Sequence, residues 1–137
     1  MPRWILAACL VTGLADCTAP TALSCAPGAG APVAIYTLYF GRSIPGREDL
    51  TDPEWRDFLN ATVTPNLPHG YTVFDANGAW MNPVTHRTVN EGTKVLVAAL
   101  PEGPPGQAAI QQVRAAYQLK FHQQLVGMTI AHGCGDF

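Results

Sequence analysis

The sequence predicts an α+β fold for residues 35–137, with four strands and two helices in the order β-α-β-β-α-β. Three observations point to it. Four short runs rich in β-branched and aromatic residues are bounded by Gly and Pro. Two longer segments carry apolar residues one helical turn apart. The second helical segment follows a pair of strands rather than a single strand, which excludes a doubly wound parallel sheet and favours an antiparallel one with both helices on one face. This is the split β-α-β, or ferredoxin-like, arrangement, with strands one and three central.

Strand one is residues 35–40 (IYTLYF), ended by Gly41. Residues 42–50 form a loop that turns at Pro45-Gly46. Thr51 and Glu54 have the spacing of a capping box, and Pro53 suits a first helical turn. Trp55, Phe58, Leu59 and Thr62 then define one buried stripe, with Pro65 as the stop. Strand two begins at residues 71–75. A bulge is expected at Asn77-Gly78, with the strand resuming at 79–81 and the hairpin closing at Asn82-Pro83. The alternative is a tight hairpin at Asn77-Gly78. Strand three spans about 87–100 and is apolar on both faces over Lys94–Leu100. Residues 107–123 make the second helix through Ile110, Val113, Tyr117 and Phe121, and 125–131 make strand four.

The chain begins with Arg3 and an uncharged, mostly apolar run over residues 4–15, too short for a permanent span. A basic start and a short apolar run read as an export signal over residues 1–16. Residues 17–34 follow as a tether of small residues, Pro and Gly, before a single domain at 35–137. The alternative is a buried N-terminal helix. Leu14-Ala15-Asp16-Cys17 resembles the site at which a bacterial signal is cut before a lipidated Cys, although Asp16 stands where Gly or Ala is usual. Leu6-Ala7-Ala8-Cys9 fits those letters better but leaves a very short apolar stretch before it. The expected location is therefore exported and periplasmic, with lipid anchoring to the bacterial membrane through Cys17.

Export decides how the remaining cysteines read. In an oxidising compartment Cys25 and Cys134 suggest a disulfide that ties the termini together. It would close a loop of about 110 residues, for which chain entropy gives about 4–5 kcal/mol. The rival is a metal site from His132, Cys134 and Asp136, but three alternating residues on one extended segment are not a known ligand spacing.

Eight Lys and Arg against ten Asp and Glu leave a net charge of −2, so no basic excess exists to grip a phosphate backbone and no nucleic-acid partner is expected. Charged residues are 13% and apolar residues 47%, which argues for a packed core. No Gly-rich phosphate loop follows any strand, and no serine sits in a nucleophile elbow, so no cofactor is expected. His69, His86, His122 and His132 form no local ligand cluster.

Five residues are candidates for ligand contact. Arg42, just past strand one, could hold a carboxylate or phosphate, or pair structurally with Glu91 or Glu54. Glu91 and Lys94 are three apart on a strand and so face opposite ways. Lys94 is placed on the face without helices, as a ligand contact or a solvated or interface lysine. Tyr39 lies on a central strand, where it lines a cavity or packs. Trp80, near the hairpin, could stack a ligand. Both central strands are apolar on both faces, so the face without helices should also be covered, and a homodimer through it is expected.

A longer pattern adds to this. Leu38-Tyr39-Phe40-Gly41-Arg42, Pro45-Gly46, Glu54-Trp55, Phe58-Leu59, Val63-Thr64-Pro65, Pro68-x-Gly70-x-Thr72-Val73, Gly78-x-Trp80 and Glu91-x-x-Lys94-Val95-Leu96 resemble a family of bacterial exported proteins catalogued as domain of unknown function 3574. The resemblance covers about residues 25–137. It implies a lipoprotein-type signal, a Cys shortly before strand one and a Cys three residues before a C-terminal Phe, which Cys25 and the ending Cys134-Gly135-Asp136-Phe137 match. It implies no reaction. Two readings of function remain: a binding or interaction module of the envelope, or a small dimeric, cofactor-independent enzyme with a pocket between sheet and helices.

Overall fold

The computed structural model describes residues 24–136; the signal segment and Cys17 lie outside the described residues. Four strands, β1 (Ala31–Gly41), β2 (Thr72–Met81), β3 (Thr88–Pro101) and β4 (Gly127–Gly135), form one sheet of order β2-β3-β1-β4. Every neighbouring pair is antiparallel. The helices are α1 (Asp52–Phe58), which continues through a π-helical turn (Leu59–Val63) into α2 (Thr64–Asn66), and α3 (Pro104–Phe121). They cover one face of the sheet, as the β-α-β-β-α-β order requires.

Several details differ from expectation, among them the start of α3 at Pro104, within the expected loop, and of β4 at Gly127. β1 starts at Ala31, and β4 runs on to Gly135, so His132 and Cys134 belong to a strand. β2 has no bulge at Asn77-Gly78: Asn77 pairs with Gly92 and Gly78 with Glu91 in unbroken register. A continuous β2 supplies by itself the long partner that β3 needs. The first helix does not stop before Pro65. The π-helical turn, in which the Thr64 N–H donates to the Leu59 carbonyl, widens the helix just before the proline. One extra residue in that turn also rotates the buried stripe, so Val63 and Leu67 enter the core in place of Thr62.

The core lies between the helices and the even-numbered side chains of β1 and β3. Ala34, Tyr36, Leu38 and Phe40 face it from β1, and Leu96, Ala98 and Leu100 from β3. Phe40, Trp55, Phe58, Tyr117 and Phe121 meet there with ring centroids 4.7–6.2 Å apart. Burial pushes the Tyr117 hydroxyl far above its ordinary pKa, and it donates to the Gly41 carbonyl at 2.8 Å.

The capping box forms as the spacing predicts. The Thr51 N–H donates to Glu54 Oε2 at 2.9 Å, and the Glu54 N–H donates to Thr51 Oγ1 at 3.4 Å. The Thr51 N–H and the Thr51 hydroxyl, which donates to Glu54 Oε2 at 2.8 Å, together with Arg47 hold the Glu54 carboxyl well below its usual 4.5, at about 2. A depressed carboxyl contributes stability above its unfolded pKa and loses it as pH falls through the folded value. Acidification from about pH 4.5 to 2 should therefore remove the contribution of this cap. Thermal melts at pH 6 and pH 2.5 should differ less for Glu54→Gln than for the unaltered protein; equal differences would refute the assignment.

Candidate functional site

Strand register decides which candidates can meet. Tyr39, Val95 and Phe74 are in line across β1, β3 and β2, so they share the face without helices, the open face. Gly41, Thr93 and Ala76 form the next row, then Glu91 with Gly78, then Val89 with Trp80. Lys94 is opposite Phe40 and Asp75, which puts it on the helix face. The five candidates therefore divide, with Tyr39, Trp80 and Glu91 on the open face and Arg42 and Lys94 on the other.

On the helix side Lys94 is 5% exposed, which corrects its expected place as a solvated or interface lysine on the open face. Its Nζ donates to Asp52 Oδ1 at 2.9 Å and pairs with Asp75. Burial alone would lower the Lys94 pKa, but the hydrogen bonds to Asp75 and Asp52 outweigh burial and hold it above its ordinary value. Arg42 does not pair with Glu91 or Glu54. Its guanidinium donates twice to the Leu50 carbonyl, at 3.0 and 2.6 Å, and stands 3.7 Å from Asp52. With the Leu50 N–H donating to the Arg42 carbonyl at 2.7 Å, these bonds close the 42–50 loop. This cluster pairs two cations with two anions and is a structural clasp: it ties the start of α1 to the rim of the sheet.

The open face has a different character. Among its positions in the paired strands, Glu91 is the one charged residue. Tyr39 (41%), Phe74 (51%) and Trp80 (40%) are exposed there, while Val95 between Tyr39 and Phe74 is buried. The Trp80 indole N–H donates to Glu91 Oε1 at 2.8 Å. A solvated sheet face would alternate in polar and charged residues. This one does not.

The sequence reading missed Asp52, Asp75, Phe74 and Thr93. Asp75 was accessible in principle, because a hairpin closed at residues 82–87 sets it opposite Lys94. Asp52 lies 42 residues from Lys94 and gives no local signal. Cys25 and Cys134 form the expected disulfide, with Cα atoms 5.8 Å apart. His132 Nδ1 lies 2.8 Å from Glu102 Oε1, so neither His132 nor Cys134 serves the rival metal reading. Among the described residues no three His, Cys, Asp or Glu side chains converge on a metal position.

A family model described as Protein of unknown function (DUF3574) matches residues 36–137. The chain belongs to this family. No curated protein matches the sequence. Two solved structures share the fold. A phage SAM lyase in complex with S-methyl-5'-thioadenosine superposes with a TM-score of 0.59 at 11% identity, covering 77% of this chain and 92% of that one. A phage SAM lyase in the apo state gives 0.53 at 13% identity, covering 85% and 98%. At such identities the likeness extends to the fold alone.

Among the described residues, two of the surface clefts lie at the far end of the strands from Glu91. One, of about 600 Å³, is lined by residues such as Gly30, Val33, Pro101 and Asp136. The other, of about 270 Å³, lies between Asn66, Leu100, Glu102 and Ala109. Neither is lined by Tyr39, Arg42, Trp80, Glu91 or Lys94.

Proposed function

We propose that this DUF3574 protein is an exported envelope domain that acts by binding, with the open sheet face as its interaction surface and a second copy of the chain as its occupant. The observation that carries this reading is the near absence of charge on a face with exposed aromatic rings at Tyr39 and Phe74. An isologous pair sets the same patch against itself. A patch with many like charges would repel its copy, whereas one of Ile35, Val97, Tyr39 and Phe74 buries apolar surface on both partners. Export is supported by the basic-apolar start, and the Cys25–Cys134 disulfide suits an oxidising compartment. A lipid on Cys17 would tether the domain to the membrane.

The protein purified from bacterial envelopes tests all three parts. Its intact mass reports cleavage and lipidation. Sedimentation at micromolar concentration should show a dimer, and Phe74→Glu should give a folded monomer, because Phe74 is half exposed within one chain and its loss leaves the core intact. A monomeric unaltered protein would end the reading.

The likeness to a phage SAM lyase favours a second reading, a small enzyme acting on a nucleoside ligand. The aromatic core is filled at Phe58 and Tyr117, so the pocket of that reading is the cleft between Asn66, Leu100 and Ala109 at the other end of the sheet. A melt raised by S-methyl-5'-thioadenosine would favour it over the binding module.

A further inference from the structure

We propose that Glu91, Thr93 and Trp80 form a recognition site for a protonated primary amine on the open face. The site sits at the Gly41 end of β1, in the rows that follow Tyr39 and Phe74, so it borders the proposed pairing surface, and Trp80 belongs to this site rather than to that surface.

Three observations converge. First, Glu91 Oε1 is held by the Trp80 indole, while Oε2 accepts no hydrogen bond among the described residues. Second, Thr93 is 8% exposed, yet its hydroxyl has no hydrogen-bond partner among the described residues. No fully enclosed side-chain oxygen of the described residues lacks a partner, so this hydroxyl opens onto the groove. Thr93 is thus enclosed except at its hydroxyl, which stands as a free acceptor at the surface. Third, the floor around both oxygens consists of glycines. A Cβ on Gly41 would stand 2.8 Å from each Glu91 oxygen, and a Cβ on Gly78 would stand 2.8 Å from Thr93 Oγ1. The absent side chains leave room for the Glu91 carboxylate to lie over β1 and the Thr93 hydroxyl to lie over β2.

The chemistry selects the ligand. Two acceptors, one of them a carboxylate, lie on the same face two residues apart on β3, beside the exposed Trp80 ring. An ammonium group can donate to Glu91 Oε2 and Thr93 Oγ1 while its charge lies against the indole. An anion would meet Glu91 with no cation on this face, because Arg42 and Lys94 are on the other side of the sheet. The same ammonium could belong to a free alkylamine or to a lysine side chain of a protein partner.

Tryptophan emission reads the site, since Trp55 is buried and Trp80 is exposed, and Trp80→Phe, which removes the reporter, separates its signal from that of Trp55 and Trp4. The envelope-purified protein is titrated with n-butylammonium and, separately, with Nα-acetyl-lysine amide; n-butanol is the uncharged control. Saturation by n-butylammonium identifies a free amine as sufficient, and saturation by the lysine amide alone identifies a peptide side chain. Glu91→Gln should weaken binding by about 10-fold or more, as loss of a charged hydrogen bond does. Gly41→Ala, which keeps the charge but displaces the carboxylate, should weaken it too. Tetramethylammonium, which has no N–H, should bind more weakly than n-butylammonium. Melting curves confirm that each variant folds. No saturation with either ammonium probe, saturation by n-butanol alike, or a folded Glu91→Gln that binds as well as the parent would each overturn the proposal. Sedimentation reads the dimer independently, so the two ideas fail separately.

Discussion

The Cys25→Ser, Cys134→Ser variant is expected to lose about 4 kcal/mol of folding stability relative to the oxidised protein. The two cysteines are 109 residues apart in sequence, so the bond closes a loop of most of the domain. Without it the unfolded chain regains the freedom of that loop, and the cost grows only slowly with loop length. The effect has a local part as well. Cys134 stands on β4 opposite Pro32, so the bond anchors residues 24–30 to the edge strand at the start of β1. Chemical denaturation of the oxidised protein, the reduced protein and the variant reads the difference, with reduced protein and variant coinciding. A midpoint unmoved by reduction would refute it. The corresponding drop in melting temperature is on the order of 15 °C.

Phe58→Ala should cost about 4 kcal/mol by the mechanism of a core cavity. Phe58 is fully buried, and its ring centroid lies 5.2 Å from Tyr117, 5.8 Å from Trp55, 5.9 Å from Phe121 and 6.1 Å from Phe40. Truncation therefore removes four aromatic contacts at once and leaves a space those rigid rings cannot refill without leaving their own partners. Leu119 on α3 is 81% exposed, so Leu119→Ala is the control and should move stability by no more than about 0.5 kcal/mol. Similar midpoints for the two variants would contradict the placement of Phe58. Combining Phe58→Ala with loss of the disulfide subtracts about 8 kcal/mol, comparable with the whole stability of a small domain, so that variant should not fold at room temperature.

Local signals carried most of the fold. Thr51, Pro53 and Glu54 announce a helix start because a capping box is satisfied within four residues, and both of its hydrogen bonds form. Ile110, Val113, Tyr117 and Phe121 are legible because a regular helix keeps its period, and all four are buried. The same logic failed at Thr62. A π-helical turn changes the period, and no single residue between Leu59 and Val63 marks it. Lys94 was misplaced for a related reason. Alternation shows that Glu91 and Lys94 face opposite ways, but Thr93, Lys94, Val95 and Leu96 are all buried, so polarity does not say which face the helices cover.

The order of the elements, the cap of the first helix and the pairing of two cysteines near the ends of the domain were determined by the sequence itself, since each depends on neighbours along the chain or on the chemistry of one residue type. The sites depended on the tertiary structure. Asp52 reaches Lys94 only because the crossover lays the start of α1 over the rim of the sheet. Gly41, Gly78, Trp80, Glu91 and Thr93 become one surface only because β1, β2 and β3 pair in this register. Contacts between residues far apart in sequence carry no periodic trace, and the packing of the sheet alone brings those residues together.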